Sequence, residues 1–307
     1  MSTNSIEAIL TREIKEKPNI DFSNKASEYL IEIVNFSTHA FHWYLEETKN
    51  KYKENENLAI PTLFLNSIEL VDGIQELTKI GLVNPCAYLV RSLFEVYLSI
   101  RLLLENRDLY IERSLSWLVF CAHLNIDSYQ DIARGEIKRI NETNEVKIPI
   151  DFDEIENRAK DKIEILNELL SREQFKNIEK NYVKNKRILN WFQLIDPSLS
   201  SIRAVAKRFR CEQEYLFFYK PYSRVVHGSD YQRFIRRISG REKNTCILRD
   251  RTLLLEIPGN AGNLMILIIN YLFLTFLRGK RDLFKHWYLE DLKRYPKFIW
   301  KEYIVFE

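Results

Sequence analysis

Apolar residues recur every three to four positions along most of the chain, which is the period of an amphipathic α-helix. Residues 23–44 show this period clearly, and Ser23 is the predicted helix start. Residues 61–81 repeat it between Pro61, which suits a first helical turn, and Gly81, which is expected to stop the helix. The pattern therefore predicts two long helices in the first quarter of the chain.

A third helix is predicted from the pair Asn84 and Pro85, an N-cap residue followed by a proline in the first turn. It continues through Leu104 and is apolar on most of its circumference, so we expect it to be central. Further helices are predicted over residues 107–135, 153–170, 172–182, 196–210, 212–219 and 281–295.

These elements predict an all-α protein: a single multi-helix, bundle-like domain of about eight to ten helices. Two short β-prone runs, 245–248 and 252–257, are candidates for a small hairpin within it. We divide the chain into N-terminal helices (1–57), a helical core (58–278) and a C-terminal helix with an aromatic tail (279–307). We expect the three segments to form one compact unit.

The most apolar run, residues 264–277, has about 14 residues, fewer than the roughly 20 that a membrane-spanning helix needs. We expect a buried core helix. The start of the chain is polar and charged, which is not typical of a signal peptide. The four cysteines are far apart and form no C-x-x-C pair, as in reduced proteins. The expectation is a cytoplasmic protein without a membrane segment.

Composition and the absence of known motifs exclude several functional classes. The 307 residues are 46% hydrophobic and 29% charged, as in ordinary globular proteins, and only eight are glycine. The sequence contains no phosphate-binding loop, dinucleotide fingerprint, nucleophile elbow or zinc-protease motif. His39 and His42 have no carboxylate or cysteine at a matching offset. We therefore expect no metal and no cofactor.

Charge is distributed unevenly along the chain. Residues 201–301 contain 21 basic and 9 acidic side chains, whereas residues 1–200 contain 25 basic and 32 acidic ones. A basic C-terminal third is typical of a surface that binds a polyanion such as RNA. The alternative is that the two regions neutralise each other within the fold or across a dimer. The candidate nucleic-acid-binding residues are Arg233, Arg236, Arg237 and Arg241.

Two segments contain residues that could act in catalysis. In the third helix, Arg91 and Glu95 are four residues apart and so share a face. In the segment YKPYSRVVHGSD (219–230), His227 is suited to proton transfer and Arg224 to binding a phosphate. The alternatives are a structural ion pair for the first place and a helix-capping histidine for the second.

Aromatic residues are interleaved with this basic region, and they could stack on bases, although their helical spacing is also typical of a core. They are Tyr215, Phe217, Phe218, Tyr219, Tyr222, Tyr231 and Phe234.

The sequences PCAYLVRSLFE (85–95) and YKPYSRVVHGS (219–229) resemble an uncharacterised bacterial family of helical proteins. Members of that family have an R-S-x-x-E helix and a later S-x-x-V-H-G-S motif. The family motifs fall on Arg91, Ser92, Glu95, Ser223, His227, Gly228 and Ser229.

The chain also resembles, more distantly, the HEPN-type helical proteins, many of which are metal-independent ribonucleases in toxin–antitoxin and anti-phage systems. Their signature is an arginine followed by a histidine after four to six residues. Arg224 is only three positions before His227, whereas Arg281, Asp282 and His286 fit the spacing and form an alternative site.

The HEPN resemblance implies RNA as the substrate, a homodimer with a composite site and a defence context in which a neighbouring gene encodes a partner. The competing hypothesis is a non-enzymatic helical sensor or adaptor. Such a protein would bind nucleic acid or a protein partner through its basic C-terminal third.

Overall fold

A computed structural model describes residues 17–185, 188–226 and 253–298. The regular elements in these ranges are all helical and include no strand, which confirms the all-α prediction. The α-helices are α1 (Lys17–Thr48), α2 (Ala59–Lys79), α3 (Cys86–Leu104), α4 (Tyr110–Ala133), α5 (Glu136–Thr143), α6 (Phe152–Ser171), α7 (Lys176–Lys184), α8 (Ile202–Arg208), α9 (Glu212–Glu214), α10 (Lys220–Val226), α11 (Glu256–Thr275) and α12 (Arg281–His286).

Shorter helical turns connect several of these elements. Two are π-helical, Tyr215–Tyr219 and Trp287–Asp291. Five are 3₁₀ turns: Arg107–Leu109, Glu173–Phe175, Trp191–Leu194, Arg278–Lys280 and Leu292–Arg294.

The predicted hairpin is not supported. Residues 245–252 lie outside the described ranges, and residues 253–257 form a turn followed by the first residues of α11. The β-prone side chains Leu254 and Ile257 are buried. Burial against helices therefore satisfies the apolar residues that suggested a strand.

Several predicted helix ends are confirmed. Pro61 lies in the first turn of α2, and Gly81 ends that helix with a φ of 71°, a conformation that glycine adopts without strain. The amide of Leu82 then donates to the carbonyl of Leu77, and the Gly81 amide donates to Thr78, which is the hydrogen-bond pattern of a glycine-terminated helix.

Two predicted starts are wrong, and a third is right in position but lacks the predicted cap. Ser23 lies inside α1, and its hydroxyl donates to the carbonyl of Thr78 at the end of α2 instead of capping its own helix. α3 begins where it was predicted, with Pro85 in helical conformation before Cys86, but no side chain caps this start. Asp196 accepts hydrogen bonds from Ser198 in a turn, so the helix expected from residue 196 begins only at Ile202.

The chain forms two compact units. The first contains residues 1–52, 60–107 and 205–307, and the second contains residues 53–59 and 108–204. The first unit therefore combines helices that are far apart along the chain, whereas the helices α4 to α7 of the second unit follow one another. The three segments predicted from the sequence stay a prediction.

The core of the first unit is built around α11, which packs against α1 and α3. Fourteen residues of α11 are buried, which confirms the expected core helix. Among the described residues, α11 is also the helix whose length and composition would suffice to span a membrane. However, 83% of its most apolar stretch is buried within the chain.

In the second unit, α4 packs against α6 and α7. Its core combines apolar side chains from these helices with Phe175, which is fully buried. On the same helices, the His123 ring stacks on Tyr182 at 3.9 Å, and its Nε2 lies 2.9 Å from Glu179 Oε2. Apolar packing and a polar pair therefore both hold α7 to α4.

Candidate functional site

The polar candidates of α3 lie on the side of the helix that contains its two exposed residues, Tyr88 and Ser92. Twelve of its 19 residues are buried, whereas Tyr88, Arg91, Ser92 and Glu95 follow one another at the i, i+3, i+4 and i+7 positions and are at least partly exposed. The side chains of Arg91 and Glu95 are 25% and 38% exposed. The helix thus presents both charges at the surface of the first unit and does not bury them in its core.

A continuous helical segment over residues 212–226 packs beside this stripe, and it consists of α9, a π-turn and α10. Sequence analysis predicted a helix over residues 212–219 here, but the helical segment continues past Pro221 to Val226. In the π-turn the Lys220 amide donates to the Tyr215 carbonyl, five residues back. Because a π-turn is wider than an α-turn, it accommodates a proline ring that would clash in a regular α-helix.

Three side chains from the two segments meet. Arg91 Nη2 lies 3.1 Å from Glu95 Oε1, and the hydroxyl of Tyr219 donates to the same oxygen at 2.8 Å. The guanidinium of Arg91 also lies 5.2 Å from the centre of the Tyr219 ring, within the range of a cation–π contact. Glu95 therefore accepts a hydrogen bond from the phenol and forms an ion pair with Arg91, whose Nη2 donates to the Tyr219 hydroxyl at 3.4 Å. We call these three residues the Arg91–Glu95–Tyr219 cluster.

Burial and a nearby carboxylate keep the Tyr219 phenol protonated. Burial, and then the nearby Glu95 carboxylate, raise the pKa of Tyr219 to about 12. The hydroxyl is therefore protonated at neutral pH, so it donates to Glu95 while its oxygen accepts from Arg91. Arg91 Nε is buried and has no hydrogen-bond partner among the described residues.

The structure brings part of the predicted site together. Tyr88 donates to the carbonyl of Val225 at 3.3 Å, so the 212–226 segment contacts α3 close to the cluster. Arg224 is exposed on that segment, and Ser92 donates back to its own helix at Tyr88. His227 lies outside the described residues, as do Gly228, Ser229, Arg233, Arg236, Arg237 and Arg241.

The alternative site lies on α12. Asp282 and His286 are exposed there, and Arg281 is half-buried. Residues five apart on an α-helix point about 140° away from each other, so Arg281 and His286 do not share a face. The buried neighbours Phe284 and Trp287 pack against Phe36 of α1, which gives this part of the chain a structural role.

Sequence analysis missed the role of Tyr219 in binding Glu95. It noted this tyrosine among the aromatic residues near Arg224, but its partner is 124 residues away and no local pattern identifies it. It also missed Arg101, whose Nη1 donates to Tyr97 at 3.0 Å and to Cys211 Sγ at 2.9 Å. Burial raises the pKa of Cys211 despite this guanidinium, so the thiol stays protonated at neutral pH and the contact joins α3 to the start of the 212–226 segment.

The position of the 212–226 segment depends on a second tyrosine. Tyr222 is buried; its hydroxyl donates to Glu256 at 2.6 Å and accepts from the buried Asn260 at 3.4 Å. Replacing Tyr222 with Phe should lower the free energy of unfolding by about 1 kcal/mol, because the buried Asn260 amide loses its acceptor and Glu256 loses a donor. Urea denaturation followed by circular dichroism measures the change.

Tyr88→Phe is the matched control, since it removes an exposed hydroxyl whose partner carbonyl water can satisfy. It should change the unfolding free energy by less than about 0.5 kcal/mol. Equal losses of unfolding free energy in the two variants would show that the buried Tyr222 hydroxyl stabilises the fold no more than the exposed Tyr88 hydroxyl does.

Comparison with known proteins adds one finding. The model of a family described as Family of unknown function (DUF5677) matches residues 57–244, which is more than half of the chain. No curated protein and no solved structure matches the chain. The matched region contains the Arg91–Glu95–Tyr219 cluster, Arg224 and His227, and it ends before α12. This agrees with the resemblance to an uncharacterised family, whereas the HEPN resemblance stays an expectation. The chain belongs to DUF5677, a family of unknown function.

Proposed function

We propose that this chain is a metal-independent ribonuclease whose site is centred on Arg91 and Glu95. The observation that supports the proposal is the 2.8 Å hydrogen bond from Tyr219 to Glu95. Through this bond, the segment that begins at Tyr219 and leads to Arg224 and His227 contacts the helix that contains R-S-x-x-E. The first motif and the described part of the second, residues 219–226, therefore lie side by side, which supports a shared site.

The residue types suit phosphodiester cleavage. A base accepts the proton of a ribose 2′-hydroxyl while its oxygen forms a bond to phosphorus. The bond from phosphorus to the 5′-oxygen breaks, and an acid supplies a proton to that leaving oxygen. The products are a 2′,3′-cyclic phosphate and a 5′-hydroxyl. Glu95 and His227 are the proposed proton-transfer groups.

Arg91 supplies the electrostatic part of this mechanism. A guanidinium fits two phosphate oxygens and stabilises the charge that develops on them in the transition state. Its contact with Glu95 and the Tyr219 ring orients it before substrate binds, so little ordering is left for the reaction step. Tyr219 is a positioning residue in this scheme, because its protonated hydroxyl holds the Glu95 carboxylate.

The test is incubation of the purified chain with end-labelled RNA in EDTA, followed by analysis of the product ends. We expect cleavage that leaves cyclic phosphate and 5′-hydroxyl ends. The Arg91→Ala, Glu95→Ala double variant, purified in the same way, controls for a contaminating nuclease. Intact RNA, cleavage only after Mg²⁺ is added, or equal cleavage by the double variant would contradict the proposal.

One observation favours the competing candidate, a nucleic-acid-binding protein without catalysis. Glu95 lies 3.1 Å from Arg91 and offsets part of the charge that would attract a phosphate. In that case the purified chain should retain labelled RNA in a salt-sensitive manner and leave it uncut. The same incubation, analysed in parallel by gel shift at two salt concentrations, distinguishes the two candidates.

A further inference from the structure

The outer face of the 212–226 segment carries an exposed aromatic side chain. Six residues of this segment are exposed, and they recur once per helical turn, singly or as adjacent pairs. We call them the 213–224 stripe. They are Gln213, Leu216, Phe217, Lys220, Pro221 and Arg224. Phe217 is 77% exposed, whereas the neighbouring aromatic residues Phe218, Tyr219 and Tyr222 are buried. The helical period therefore places the Phe217 ring at the surface, while these three neighbouring rings point into the core.

The charge of the stripe is positive. It contains Lys220 and Arg224 and no acidic residue; Glu212 and Glu214 are half-buried and lie one turn before Leu216 and Phe217. Lys220 is one helical turn after Phe217, and Arg224 is one turn further. A cation thus neighbours the ring, and a second one continues the line along the helix.

An exposed ring beside cations suits a single strand of nucleic acid. Bases stack on aromatic side chains while lysine and arginine neutralise the phosphates that connect them. In a duplex the faces of the bases are stacked inside the helix, so only an unpaired base can pack on Phe217. An amphipathic membrane-surface helix needs a broad apolar face, and this stripe has only Leu216 and Phe217 as its large apolar residues.

We propose that the 213–224 stripe binds single-stranded RNA, with Phe217 stacking on an unpaired base and Lys220 and Arg224 contacting phosphates. This inference rests on the proposed function, which supplies RNA as the ligand, and it specifies the strand state that the site selects. It also assigns to Phe217 a role separate from that of the Arg91–Glu95–Tyr219 cluster.

The experiment measures equilibrium binding of a fluorescently labelled, unstructured RNA and of a matched RNA duplex to the full chain. Phe217→Ala should weaken binding of the single strand by about tenfold and leave duplex binding unchanged. Phe217→Leu keeps an apolar side chain without the ring and should be as weak as Ala, whereas Phe217→Trp should bind as well as the original residue. In cleavage assays, Phe217→Ala should raise KM and leave kcat unchanged.

The outcomes separate the two proposals. If the unaltered chain binds and cleaves RNA but Phe217→Ala does so equally well, this inference is wrong and the proposed function stands. Full binding by Phe217→Leu, or equal losses for single strand and duplex, would also overturn it. If Phe217→Ala loses affinity only for anionic lipid vesicles, the stripe is a membrane surface instead. Absence of RNA binding and cleavage by the unaltered chain contradicts both proposals.

Discussion

RNA cleavage should fall by about 10²–10³-fold in kcat/KM when Arg91 is replaced by alanine, because the charge that develops on the phosphate loses its guanidinium. The free energy of unfolding should change by less than about 1 kcal/mol, since an ion pair this exposed contributes little to stability. Steady-state cleavage of a short fluorogenic RNA and urea denaturation of the same preparations measure the two quantities.

The comparison separates catalysis from a structural ion pair. Arg91→Lys keeps the charge but loses the planar fork, so it should recover only part of the activity. Glu95→Gln keeps an acceptor for Tyr219 and should also reduce cleavage. If the Arg91 and Glu95 variants lose stability by several kcal/mol and lose activity only in proportion, the pair is structural and the assignment to catalysis is wrong.

The same assay assigns the histidine. His227→Ala should lose cleavage by about 10²-fold or more, the usual contribution of a general acid or base. His286→Ala is the matched comparison, because His286 is exposed on a helix whose buried face holds its structural contacts. Loss of cleavage in His286→Ala alone would move the site to Arg281, Asp282 and His286 of α12.

Replacing Gly262 with alanine should destabilise the first unit by 2 kcal/mol or more, an order-of-magnitude expectation for overpacking a core. A Cβ atom at this position would lie 2.4 Å from both the hydroxyl and a ring carbon of Tyr29, far inside van der Waals contact. Tyr29 is fully buried and stacks on Phe298 at 5.2 Å, so its ring has little room to move. Thermal and urea unfolding measure the loss.

Gly73→Ala is the matched control, since Gly73 lies inside α2 and its Cβ would meet Leu89 at an ordinary 3.6 Å. It should raise the unfolding free energy by about 0.5–1 kcal/mol, because alanine restricts the unfolded chain more than glycine does. In the Gly262→Ala chain, Tyr29→Phe removes one of the overlapping atoms and should restore part of the stability. A stabilising Gly262→Ala substitution would refute the close packing of α1 against α11.

Local sequence patterns were sufficient to predict most of the helices. The apolar period identified α1, α2 and α3, a continuous apolar run identified the core helix α11, and Gly81 ended α2 as expected, because these signals act within a few residues. The starts were less predictable. Ser23 is an N-cap type of residue, yet its hydroxyl binds a carbonyl of another helix that only tertiary packing brings near.

The candidate site could be predicted only in part. The spacing of Arg91 and Glu95 placed them on one face of α3, but whether that face is buried or exposed depends on which helices cover it. Tyr219 joins them from a distant segment, so the sequence around it could not identify its partner.

The sequence by itself determined the helical class, most element positions and the residues that could carry chemistry, since each depends on local spacing and residue type. Only the tertiary structure decided that Arg91 and Glu95 lie at the surface beside Tyr219, that a π-turn lets a helix pass Pro221, and that Phe217 is exposed while Phe218 is buried. The physical reason is that burial and pairing depend on contacts between residues far apart in the chain. The free energy of those contacts comes from whole helix faces packing together.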